Sequence, residues 1–105
     1  MLVVNRFRVL APEADAFRSQ LAEAHALLAA KPGYVDGTLG RNLDEPDLWV
    51  LTTRWESVGA YRRALSSYDV KLAAVPTLSR ALDEPSAYEV VEPNSVLNVA
   101  ESRVT

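Results

Sequence analysis

Cysteine is absent from the 105-residue chain, and histidine occurs once, at His25. The first absence rules out a disulfide framework, an iron–sulfur site and a cysteine nucleophile. The second rules out a two-histidine metal site built within one chain, and no metal is expected. Long apolar runs are also missing. The longest uninterrupted stretch falls far short of the ~20 residues needed to cross a bilayer, so no membrane partner is expected. A surplus of base is lacking too: fourteen acids against eleven bases give a net charge of −3 and a pI near 5.1. A non-specific nucleic-acid binder works by displacing counterions with excess Lys and Arg, so nucleic acid is not an expected partner. The opening residues, Met1 to Arg6, carry neither the basic region nor the cleavage site of a signal peptide, and the expectation is a cytoplasmic protein. Walker, G-x-G-x-x-G, G-x-S-x-G and H-E-x-x-H motifs are all absent, which leaves hydrolase, nucleotidase and metalloprotease readings without support.

What is present is a composition 49% hydrophobic in 11.5 kDa. A folded chain of that mass is expected to expose roughly 5,800 Å² against roughly 16,700 Å² unfolded, enough burial for one core and not two. Residues 2–10 alternate, with Val3, Asn5, Phe7 and Val9 on one face and Val4, Arg6 and Arg8 on the other, the period of a strand. Asn5 therefore points with the apolar residues. Pro12 marks a helix start, with Glu13 and Asp15 placed to favour the helix dipole. Phe17, Leu21, Ala24 and Leu28 then form a single helical stripe, which ends at Lys31-Pro32-Gly33.

Residues 34–43 read as a strand loosened by Gly37 and Gly40, and an acidic loop at 44–47 leads into the strongest strand, LWVLTTRW. Trp49, Leu51, Thr53 and Trp55 share one of its faces. The two strands predict an antiparallel hairpin. Ser57 is placed to cap a second helix carrying Val58, Tyr61 and Leu65, and Ser66-Ser67 interrupts it. Further helical stretches are expected at 69–75 and 77–82. Residues 87–92 alternate as a fourth strand. After Pro93 the tail turns polar, with weak alternation of Val96, Asn98 and Ala100 against Leu97 and Val99, as a flexible end or a segment packing on a partner subunit.

The order β-α-β-β-α-β with right-handed crossovers predicts an α+β fold, the ferredoxin-like plait, with a four-stranded antiparallel sheet and both helices on one face. The domain is expected over 1–92 and the tail over 93–105. The second sheet face, with Val4, Arg6, Arg8, Leu48, Val50, Thr52 and Arg54, holds too many aliphatics to stand in water. Stacking on a second copy buries them and offers the arginines acids such as Asp36 or Glu56, so a homodimer is expected.

The string W55-E56-S57-x-x-A60-Y61-R62 at a strand-to-helix junction, with P32-G33-Y34 before it, resembles the antibiotic biosynthesis monooxygenase family over about residues 1–92. The resemblance implies a dimeric α+β barrel whose ligand lies between helices and sheet. It includes cofactor-independent oxygenases of aromatic polyketide quinols, other quinol oxygenases and haem-degrading oxygenases. In the polyketide branch, Trp55 and Tyr61 match site residues, while Leu51 stands where an asparagine is expected. In the haem branch, Asn5-Arg6 matches, while Ala64 stands in place of a helix tryptophan and Ala74 or Val75 in place of an axial histidine.

Each candidate also has a plain structural role. Asn5 is either an amide that bonds a substrate oxygen or one tied to backbone; left without partners in a core it costs about 1–3 kcal/mol. Trp55 either lines a ligand cavity or fills the core with its indole N–H satisfied. Tyr61 either offers a phenol at the pocket edge or packs on the sheet. His25, at the border of the first-helix stripe, is either a base or an ordinary helix-edge histidine. Trp49, Phe17 and Leu51, on the same interior face, complete the expected substrate-binding set. The expected function is monooxygenation of a small aromatic, quinol- or polyketide-like ligand without metal or flavin, dioxygen being the co-substrate. A non-catalytic ligand-binding dimer is the alternative, and haem degradation a third reading.

Overall fold

A computed structural model describes residues 1–97 of the chain. Strand β1 (Leu2–Arg8) leads through a 3-10 turn (Ala11–Glu13) into helix α1 (Ala14–Ala29). Strands β2 (Tyr34–Arg41) and β3 (Leu48–Trp55) form the hairpin. Helix α2 (Val58–Ser66) and two short helices, α3 (Tyr68–Ala73) and α4 (Val75–Leu78), then lead to β4 (Ala87–Tyr88). The sheet order is β2-β3-β1-β4 and every pairing is antiparallel. This is the ferredoxin-like plait expected from the element order. Among the described residues, no helix is long and apolar enough to cross a membrane.

The α1 stripe behaves as its spacing predicts: Phe17, Leu21, Ala24 and Leu28 are all buried. They pack on Val3, Phe7, Leu51 and Trp55 of the sheet, with Phe7 and Phe17 ring centroids 5.2 Å apart. The chain leaves α1 through Gly33, whose φ of +87° suits a residue without a side chain. A Cβ there would also collide with the Cβ of Ala60, so Gly33 lets α2 close against the α1–β2 turn. Ser57 caps α2, accepting the Ala60 N–H at 3.1 Å.

The buried face of α2 is not the one expected. Ala60 and Ala64 are inside, Tyr61 and Leu65 are half-buried, and Val58 is exposed. The small residues set the approach of the helix to the sheet, and the larger ones are left at the margin. The fourth strand is also shorter than 87–92, spanning two residues, and Val90 and Val91 are exposed. Before it the chain already runs beside β1, with Leu82 N–H donating to Arg6 C=O and Val4 N–H to Ser86 C=O, each at 2.7 Å. Tyr88 then pairs with Leu2 at the start of β1, so the chain beyond it has no more of that strand to pair with.

On the open sheet face, Val4, Leu48, Val50 and Thr52 are half-buried in the single chain. The arginines find acids within the same chain, contrary to the expectation that a second copy supplies them. Arg6 binds Glu84 at 2.6 and 2.8 Å, Arg8 meets Glu45 and Asp47, and Arg54 makes a two-pronged bond to its cross-strand neighbour Asp36. Opposite charges at one register position on adjacent strands suffice for the last pair. The alternation expected after residue 97, involving Asn98, Val99 and Ala100, lies outside the described residues.

Candidate active site

The β1 pleat that buries Val3 and Phe7 also turns Asn5 toward the helices, directly across from Leu51 on β3. Above it, α2, α3 and α4 do not close over the sheet. They leave a cleft of about 420 Å³ lined by Asn5, Tyr61, Leu65, Lys71, Val75, Leu78 and Ser79. Two of the expected catalytic residues, Asn5 and Tyr61, thus share one cleft. Neither the Asn5 amide nor the Tyr61 hydroxyl bonds to any other side chain or backbone group among the described residues, so both are available to a ligand. Burial raises the Tyr61 pKa above its ordinary value, which keeps the phenol protonated and a donor.

Trp55 lies behind Tyr61, ring centroids 5.5 Å apart, and is almost fully buried. Its indole N–H donates to Thr53 Oγ1 at 2.9 Å. It therefore backs the cleft wall through Tyr61, and its polar edge is already used. Leu51, paired with Asn5 across the sheet, is fully buried and does not line the cleft. Phe17 and Trp49 lie elsewhere: they pack edge to face at 5.8 Å under the first turns of α1, and Arg41 lies over the Trp49 ring. Neither lines the cleft. They belong to the core at the Phe7 end of the sheet, because Phe7 is the register partner of Trp49.

His25 does not line the cleft either. Its Nε2 is 2.6 Å from the Tyr34 hydroxyl, and Tyr34 in turn packs edge-on against Trp55 at 5.4 Å. Two rings stand between the imidazole and Tyr61. Burial lowers the His25 pKa, and burial followed by the Asp36 charge raises that of Tyr34. In the Nδ1–H tautomer of a neutral imidazole Nε2 accepts from the Tyr34 hydroxyl, and in the Nε2–H tautomer it donates to it.

Lys71 is the residue that sequence reasoning missed. It lies on α3, and no acid pairs with it among the described residues, whereas Lys31 is held by Asp69 at 2.6 Å. Its position over the cleft depends on how α3 turns after the Ser66-Ser67 break, and no local pattern encodes that. Lys71, Asn5 and Tyr61 thus line one slot together with the apolar Leu65, Val75 and Leu78. Such a set suits a flat ligand with an ionised oxygen at one end. No three His, Cys, Asp or Glu side chains converge as metal ligands among the described residues.

A family model for antibiotic biosynthesis monooxygenases matches residues 1–75, from β1 to the start of α4. The chain belongs to the antibiotic biosynthesis monooxygenase family. The family match takes in Asn5, Tyr61 and Lys71 and stops as the cleft's last wall begins. Among curated proteins, deoxynogalonate monooxygenase of Streptomyces nogalater is 40% identical over 63 residues, covering 60% of this chain and 52% of that protein. The matched segment thus spans about half the length of this curated relative.

Among solved structures, SnoaB from Streptomyces nogalater, described as a cofactor-independent oxygenase, is 29% identical with a TM-score of 0.72, over 87% of this chain and 92% of that one. Rv0793 from Mycobacterium tuberculosis, at 22% identity and a TM-score of 0.69 over 90% and 97% of the two chains, shares the fold. The side chains that the resemblance implies for haem degradation do not line this cleft. Ala64 and Ala74 are buried in the core, Val75 presents an alkyl wall, and the one imidazole is bonded to Tyr34.

Proposed function

We propose that this protein is a cofactor-independent oxygenase that binds a flat aromatic, quinol- or anthrone-like molecule in the cleft between β1 and α2–α4. The observation that carries this reading is that Asn5, Tyr61 and Lys71, none bonded to another side chain among the described residues, line one mainly apolar slot. The likeness to SnoaB and to deoxynogalonate monooxygenase supports it.

The chemistry is driven by the substrate's own electrons. The substrate gives its proton to water, Lys71 stabilises the resulting phenolate or enolate, and Tyr61 donates to the same oxygen. Asn5 orients a second oxygen, and the alkyl walls exclude water. The anion passes one electron to dioxygen, and the substrate radical and superoxide combine at carbon. For an anthrone CH2, loss of water from that peroxide leaves the quinone carbonyl, so one dioxygen supplies one oxygen to product and one to water. The test is oxygen uptake by purified protein with a panel of hydroquinones and anthrones. Uptake above the buffer rate that falls in Asn5→Ala supports the reading, and uptake at the buffer rate for every compound overturns it.

One observation favours a second reading, a ligand-binding module without turnover: Leu51 is a buried alkyl group beside Asn5, where the polyketide branch places a second amide. Ligands that raise the melting temperature without being converted support this alternative.

We further propose that the domain runs over residues 1–92 and acts as a homodimer through its open sheet face. Val4, Leu48 and Val50 stay only half-buried in the single chain, an aliphatic face that a second copy would cover.

A further inference from the structure

The oxygenase reading leaves His25, Tyr34 and Trp55 without a chemical role, yet they are joined to the cleft in a continuous series. Ring centroids lie 5.9 Å apart from His25 to Tyr34, 5.4 Å from Tyr34 to Trp55 and 5.5 Å from Trp55 to Tyr61. The outer end is built closely. A Cβ on Gly37 would stand 2.6 Å from the Tyr34 hydroxyl and 2.7 Å from His25 Nε2, so β2 carries glycine where the pair crosses it. We propose that Tyr61, Trp55, Tyr34 and His25 form a one-electron conduit that draws oxidising equivalents out of the cleft and holds them as a neutral radical on Tyr34, with its proton on His25.

The direction follows from where protons can go. Removing an electron from a phenol is costly unless its proton leaves at the same time. Among the described residues no base stands against the Tyr61 hydroxyl, whose partner in the oxygenase reading is the substrate's own oxygen, an anion only until the substrate is oxidised. The Trp55 N–H is bonded to a hydroxyl, Thr53 Oγ1, which is too weak a base. Tyr34 alone in the series has an imidazole nitrogen at 2.6 Å. A hole entering at Tyr61 therefore passes Trp55 and settles at Tyr34.

The inference rests on the oxygenase reading only for the source of the oxidant. That source is a peroxyl radical, formed when a substrate radical that escapes superoxide combines with a further dioxygen. The peroxyl radical takes one electron through Tyr61 and Trp55 and one proton from water, becoming a hydroperoxide. Tyr34 supplies that electron and gives its hydroxyl proton to Nε2, and the half-exposed imidazolium passes a proton to water. A soluble thiol can return one electron and one proton to Tyr34.

The test uses the full chain carrying Tyr68→Phe and Tyr88→Phe, which remove the two exposed phenols. The protein is photo-oxidised with a ruthenium polypyridyl and persulfate, then frozen for electron paramagnetic resonance. The expected result is a neutral tyrosyl radical that is lost in Tyr34→Phe, and lost or greatly shortened in lifetime in His25→Gln. A tyrosyl signal that survives Tyr34→Phe, or is unaltered by His25→Gln, overturns the proposal. Because His25 is at a half-exposed position, His25→Gln keeps the test decisive should Tyr34→Phe fail to fold. This readout needs no substrate, so it separates failure of the conduit from failure of the oxygenase reading. Where oxygen uptake is seen, Tyr34→Phe and His25→Gln are expected to start at the wild-type rate and to lose activity in fewer turnovers; inactivation at the wild-type pace counts against the conduit.

Discussion

Asn5 is an amide on a strand face that otherwise buries Val3 and Phe7, and among the described residues its side chain meets no hydrogen-bond partner. If its bonds are made to the ligand, Asn5→Ala removes interactions worth about 1–3 kcal/mol and lowers kcat/KM by about tenfold to hundredfold, with little change in melting temperature. Tyr61→Phe acts in the same direction by removing one donor. Steady-state oxygen uptake and thermal unfolding, measured side by side, check both. Gly37→Ala makes the opposite prediction. Its Cβ would press on the Tyr34 hydroxyl, on His25 Nε2 and, at 2.8 Å, on the Thr52 carbonyl of the sheet, which cannot swing away. Overpacking of that kind costs about 1–3 kcal/mol, read as a lower urea midpoint. His25 adds a pH dependence. Burial holds its pKa below the ordinary 6.5, so between those values the unfolded chain binds more protons than the folded one. Stability therefore increases with pH across that window and levels off on either side of it, and His25→Gln flattens the slope. Urea midpoints on both sides of pH 6.5 measure it.

At the scale of elements, period and capping were readable wherever one helix or strand met one surface. The α1 stripe and the β3 alternation read from sequence are the buried sets in the fold. The Ser57 cap was legible too, and Ser57→Ala is expected to cost about 1 kcal/mol, measured as a drop in the denaturation midpoint. Legibility failed where an element's partner lay outside it. In α2, Ala60 and Ala64 are buried because a small side chain lets the helix approach, and a pattern of large residues misses them. The shortening of β4 comes from its register: Tyr88 already pairs with Leu2, the first residue of β1, and the alternation of 87–92 does not reveal where the partner strand ends. Lys71 was hidden for a related reason: α3 follows a break, so its phase is not inherited from α2.

For the whole molecule, the open sheet face sets the main expectation. Its arginines are satisfied internally by exposed ion pairs, which contribute little each, so any drive to associate comes from Val4, Leu48 and Val50. Val50→Glu places a carboxylate at the centre of that face and is expected to shift a sedimenting dimer to monomer while leaving the fold intact; a wild-type chain that sediments as monomer at every concentration counts against the dimer. The sequence alone settled the element order, the plait, the interior faces of β1, β3 and α1, and the family. These are local periodicities and a junction motif, and each is written within a few consecutive residues. Only the tertiary structure decided that Asn5, Tyr61 and Lys71 meet in one cleft, that Phe17 and Trp49 lie away from it, and that His25 is bonded to Tyr34. Convergence depends on the relative phase of segments separated by Pro, Gly and Ser breaks, and three-dimensional packing sets that phase.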